Sequence, residues 1–210
     1  MHRRVISLNA LTSWILKGVL ALLFFYAIFG QHNYMAAIGV LVALILSLLP
    51  SLIEHSREVT LPWPVDFSIT LALFLHIAGV SFNIYHDPDY WWFDLAAHFL
   101  GTVAIALLAF LFVYTLNFTG KIKMSIPLVG FFTFMIALAI GALWEIGEFS
   151  FDKIFKTNTL GDIVDTITDL QFDALGGVCV ALFGMWYVHG KTKKKKWRAY
   201  FKKLAKRLVA

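Results

Sequence analysis

Six stretches of the chain, each of roughly 20 mostly apolar residues, are long enough to cross the hydrocarbon core of a bilayer as helices. That one feature restricts the fold more than any other. In lipid every backbone polar group must be satisfied within the protein, which leaves helix bundles or closed barrels. Runs of this length exclude barrel strands. The spans are expected at about Asn9–Phe29, Tyr34–Ile53, Val65–Tyr85, Phe93–Leu116, Ile126–Phe149 and Thr168–Val188. The predicted fold class is therefore an all-α integral membrane protein with six transmembrane helices. Composition agrees: 60% of residues are apolar and only 15% charged, too little charge to coat a soluble globule. The start, Met1-His2-Arg3-Arg4 and an apolar run, imitates a signal peptide. The run lacks a small-x-small cleavage pattern and reads as a retained first helix.

Charge sets the orientation. With six spans, Arg3, Arg4, Lys17, Arg57, Lys121, Lys123 and ten basic residues from Lys191 to Arg207 all fall on one side. Of the chain's 18 lysines and arginines, only Lys153 and Lys156 fall on the other. The positive-inside rule then places both ends in the cytoplasm, and the expected location is the cell (plasma or inner) membrane. The expected organisation is a six-span domain over residues 1–190 and a basic tail over 191–210. Trp197, Phe201, Leu204 and Leu208 are spaced to share one helical face, with lysines and arginines around the rest. Such a helix reads as lying on anionic lipid, and nucleic acid is not expected as a partner. The single cysteine, Cys179, lies in an apolar run and is expected to be a small buried hydrophobe.

Acidic residues collect at the opposite level, where spans four to six carry ionisable groups. Asp94 and His98 are four apart and share a helix face. Glu145 and Glu148, three apart, share another. Asp162, Asp165, Asp169 and Asp173 would form one stripe about 80° wide if helical throughout. Each group continues inward as a glycine: Gly101, Gly141 and Gly176. Small residues let membrane helices approach closely, so three helices are expected to meet around a shared outward-facing acidic cleft. Many carboxylates facing one space cannot all stay ionised without a cation or shared protons. Carboxylate and imidazole suit manganese, zinc or iron. The expected metal ligands are Asp94, His98, Glu145 and Asp173, with Glu148 or Asp169 as general base. The plainer readings are an N-cap role for Asp94, a satisfied interior histidine at His98, and solvated acids at Glu148, Asp152, Asp162 and Asp165. His76, mid-span, reads as a hydrogen bond between helices.

Ordered polar motifs carry a resemblance. Leu61-Pro62-Trp63, Leu75-His76-x-x-Gly79 with Tyr85, and Trp92-x-Asp94-x-x-x-His98-Phe99 come first. Gly141-Ala142-Leu143-Trp144-Glu145-x-x-Glu148 and Asp165-Thr166-x-x-Asp169-Leu170-x-x-Asp173-x-x-Gly176 follow. Over residues 61–184 the chain resembles YjdF-type inner-membrane proteins of uncharacterised function. It is more distantly similar to VanZ-like membrane proteins, which also place Asp and His at one helix start, although Asp173 stands where an Asn is expected there. The resemblance implies the fold and the site but no reaction. Three functions stay open. One is a metal-dependent envelope enzyme acting on a lipid or lipid-linked substrate. The others are a cation- or proton-coupled transporter and a structural or regulatory membrane protein.

Overall fold

The computed structural model describes residues 8–57, 61–191 and 199–204. Its described residues hold six helices long and apolar enough to cross a membrane. They are α1 (Leu8–Phe25), α2 (Tyr34–Arg57), α3 (Trp63–Ser81), α4 (Trp92–Phe118), α5 (Ile126–Phe155) and α6 (Ile163–Lys191). Helix starts follow the sequence. Pro64 lies in the first turn of α3, where a missing N–H costs nothing. Ser125 caps α5, its hydroxyl accepting from the Leu128 N–H, with Pro127 just inside. The 27, 30 and 29 residues of α4, α5 and α6 exceed what about 30 Å of hydrocarbon needs. The excess lets them tilt or extend beyond it. Large apolar side chains such as Leu143, Ile146, Leu182 and Trp186 are exposed along the helices, as lipid requires. Cys179 is also exposed, on that apolar exterior, and is not the buried residue expected from its neighbours.

The chain forms two compact units, residues 1–97 and 98–210. In the first, α1, α2 and α3 pack through Leu20, Leu23, Val40, Ala43 and Ile77. Helix α3 ends at Ser81, short of the expected Tyr85, because Asn83 adopts a left-handed conformation at φ 55°. Asparagine tolerates that region better than most residues. The turn folds the Tyr85 ring back over Gly79, where a Cβ would collide with it, and the Tyr85 hydroxyl lies 3.2 Å from His76 Nδ1. His76 thereby meets a residue just past the end of its own helix. Lys17, counted above as a topological charge, is buried and ion-paired to Asp66 at 2.7 Å.

In the second unit α5 and α6 run side by side, and α4 joins them through an apolar layer of Ala106, Ala137 and Val180. Close approach is set by glycines. Gly184 leaves room for the Phe110 ring, Gly130 for Met185, and Gly176 sits against the Phe99 backbone carbonyl and Thr102. Gly101, expected at such a contact, has no neighbour within 4 Å of where its Cβ would stand. The described tail residues 199–204 are helical, with Phe201 and Leu204 buried. Arg3, Arg4, Trp197 and Leu208 lie outside the described residues.

A buried histidine and three carboxylates

Helix periodicity brings four ionisable side chains of the second unit to one level. His98 lies six residues into α4, and Asp169 and Asp173 lie six and ten into α6. Glu145 is nineteen residues into α5, which starts at the other end of the bundle, so it reaches the same depth. The side chains of His98, Glu145, Asp169 and Asp173 are 9, 6, 3 and 2% exposed.

The two faces of the imidazole differ. Nδ1 lies 3.4 Å from Asp173 Oδ1. That oxygen also accepts the Thr102 hydroxyl at 2.5 Å. Nε2 lies 3.7 Å from Glu145 Oε1 and 3.9 Å from Asp169 Oδ2. All three separations exceed the 2.7–3.2 Å of an ordinary N–H···O bond, the Nδ1 one least. Each falls in the roughly 3–4 Å that separates two ligands of one ion when each bond is about 2.0–2.2 Å, and the Nε2 side faces two carboxylates where the Nδ1 side faces one. Asp173 Oδ2 is buried with no hydrogen-bond partner among the described residues, and it lies where a Cβ on Gly141 would be. The glycine is what admits the carboxylate between α5 and α6.

A second tier stands one turn nearer the helix ends. Asp94 precedes His98 by one turn of α4. Glu148 follows Glu145 on α5, and Asp165 precedes Asp169 on α6; all three are half-buried. The remaining acids have local duties. Asp162 precedes α6 and accepts from the Val164 and Asp165 N–H groups, so it is a helix cap outside the stripe. Asp152 accepts from Thr157, Thr159 and Leu160 and ties down the loop between α5 and α6.

The structure thus brings His98, Glu145, Asp169 and Asp173 together, with Asp94 and Glu148 one turn away. Sequence reasoning missed Thr102. Its signal was present, since a threonine four residues past His98 shares that helix face. On the Glu145 and Asp173 sides, the inward glycines Gly141 and Gly176 do mark close packing.

Residues 12–190 match a family described as predicted membrane protein (DUF2238). The chain belongs to that family. The match takes in the first two spans, beyond the 61–184 core picked out by motifs. An uncharacterised protein of Thermotoga maritima is similar, at 30% identity over 151 residues, covering 71% of this chain and 74% of that one. No solved structure matches the chain.

Proposed function

We propose that this DUF2238 protein binds a divalent metal ion at the His98 cluster and uses it as an envelope enzyme on a lipid or lipid-linked substrate. The observation that supports this is one imidazole flanked by three carboxylates, all at least nine-tenths buried. Ionisable groups at membrane depth are costly and by default functional. Three carboxylates sharing one space need a cation or protons to stay there. On this reading His98 Nε2, Glu145 and Asp169 face the ion, and Asp94 adds a ligand from the turn before His98. Asp173 holds the ring by accepting from Nδ1–H, and Thr102 holds Asp173. Metal-bound histidines ordinarily donate their second N–H to such a carboxylate. Asp173 is then an orienting residue, and Asp169 takes the ligand place assigned above to Asp173. Glu148, half-buried one turn outward, is the candidate base for a metal-activated water.

The side of the membrane follows from charge. The basic tail and the Lys121–Lys123 loop favour the cytoplasmic side for one end of the bundle, which puts the cluster near the outer leaflet. A carrier would need polar groups continuing across the bilayer. Instead Ala106, Ala137 and Val180 close the three helices seven or eight residues inward, roughly 10–12 Å at 1.5 Å per residue. Thr115 and Thr133, deeper still, turn their hydroxyls onto their own helices.

The test is metal analysis of detergent-purified protein, wild type beside His98→Ala. Wild type is expected to carry about one ion per chain and the variant almost none. Wild type that stays metal-free after exposure to manganese, zinc and iron would replace the ion with shared protons.

A further inference from the structure

The tail segment 199–204 has two unlike sides. Phe201 and Leu204, three apart on one face, are 2% and 1% exposed. Phe201 is covered by the last turns of α4: its ring meets Tyr114 edge-on at 4.7 Å between centroids and Phe118 at 5.6 Å. Tyr114 is itself 4% exposed, so the docking is a packed contact rather than a graze. The opposite side carries Lys202 and Lys203, both exposed. Lys121 and Lys123, in the loop that follows α4, are exposed as well. Residues 191–210 hold ten basic groups and no acid.

This changes what the tail offers a membrane. A basic amphipathic helix that lies on lipid ordinarily buries its apolar face among the acyl chains. Here Phe201 is spent on α4 and Leu204 is buried within the protein, and charge is what the exposed side offers the bilayer. We propose that segment 199–204 is a strap, seated on the end of α4 by Phe201 and held down by anionic phospholipid headgroups through Lys202 and Lys203 on its other side. The partner is the anionic lipid of the leaflet at that end. Clustered basic residues beside a span are attracted by negative surface potential. Because attachment on this side is electrostatic, it should weaken with salt, as a Debye length near 10 Å at 0.1 M shrinks to about 3 Å at 1 M.

The experiment uses the full chain in lipid nanodiscs. A dye is placed at Ala199→Cys, an exposed position, in a Cys179→Ser background. Both disc types carry a trace of neutral lipid with a quencher on its headgroup; one host lipid is neutral and the other contains phosphatidylglycerol. Quenching is expected to be about threefold stronger in the anionic discs and to fall towards the neutral value in about 1 M salt. A variant with Lys202, Lys203, Lys206 and Arg207 changed to glutamine should lose most of the difference without disturbing Phe201 or Leu204. Equal quenching in both discs, or a difference that ignores salt and the glutamine variant, would overturn the proposal. Displacement of the dye from neutral discs by added RNA, with no response to anionic lipid, would overturn it in favour of nucleic acid.

Discussion

His98 Nδ1 and Thr102 Oγ1 converge on a single oxygen, Asp173 Oδ1, at 3.4 and 2.5 Å. One carboxylate oxygen thereby joins two consecutive turns of α4 to the middle of α6. The contact is both a helix-packing device and a constraint on the imidazole, so its removal should register in stability and in metal affinity.

Thr102→Val deletes the hydroxyl at nearly constant volume and leaves the buried Asp173 carboxylate short of a donor. A buried group left unsatisfied costs about 1–3 kcal/mol, and loss of an orienting partner typically costs about 10–100-fold in metal affinity. Thermal unfolding in detergent and metal titration should show both losses. Thr102→Ser should restore most of each, since it returns the donor. A Thr102→Val protein with unchanged melting and affinity would show that the hydroxyl supports neither.

Gly141 and Gly101 make a matched pair. A Cβ at Gly141 meets the Asp173 carboxylate, whereas one at Gly101 meets nothing. Gly141→Ala should destabilise by about 1–3 kcal/mol through overpacking and disturb metal binding. Gly101→Ala should be neutral or stabilising by about 0.5–1 kcal/mol, from helix propensity alone. Parallel melting curves decide, and equal effects at both sites would contradict the packing described.

The contrast also shows what the sequence could reveal. Six long apolar runs were enough for six helices, because span length and hydropathy need no tertiary information. The i, i+4 spacing of Asp94 with His98 and of Asp169 with Asp173 marked helix faces for the same reason. Which glycine touches another helix depends on rotation about each helix axis, and that is why Gly141 and Gly176 matched expectation and Gly101 did not. The stripe from Asp162 to Asp173 lost its first member because a helix must start somewhere, and Asp162 is spent capping α6. Lys17 looked like a topological charge because nothing in its own segment named a partner 49 residues away. Which acid faces Nε2 and which faces Nδ1 is a matter of side-chain direction, and no spacing rule supplies it.

Lys17 and Asp66 form a largely buried ion pair in the first unit, the lysine 3% and the aspartate 22% exposed, with the lysine also lying over the Trp14 ring. Removing one partner should be far worse than removing both. Breaking a buried pair costs about 3–5 kcal/mol because a charge is left uncompensated. Lys17→Met should therefore melt well below wild type. Adding Asp66→Leu to it should recover most of the loss, since apolar replacement of both partners is often close to neutral. A double variant no better than Lys17→Met would indicate that Asp66 has a separate task, and the thermal melts of the three proteins distinguish the cases.

Asp169 and Asp173, two of the three aspartates of α6, are expected to differ in role. If the ion sits on the Nε2 side, Asp169 binds it and Asp173 only orients the ring. Asp169→Asn should then remove a charged ligand and nearly abolish binding, because hard divalent ions depend on ligand charge. Asp173→Asn should keep the ion and bind it about 10–100-fold more weakly, as expected when the acceptor for Nδ1–H is degraded rather than a ligand lost. Manganese, read by its paramagnetic resonance, reports both affinity and nitrogen ligation. Wild type and Asp173→Asn should each show a single coordinated nitrogen from His98. The reverse pattern, with Asp173→Asn metal-free and Asp169→Asn still loaded, would move the ion to the Nδ1 side and restore Asp173 as the ligand. Binding retained by both variants would place the ion away from α6 altogether, a result that the 3.4–3.9 Å separations around His98 argue against.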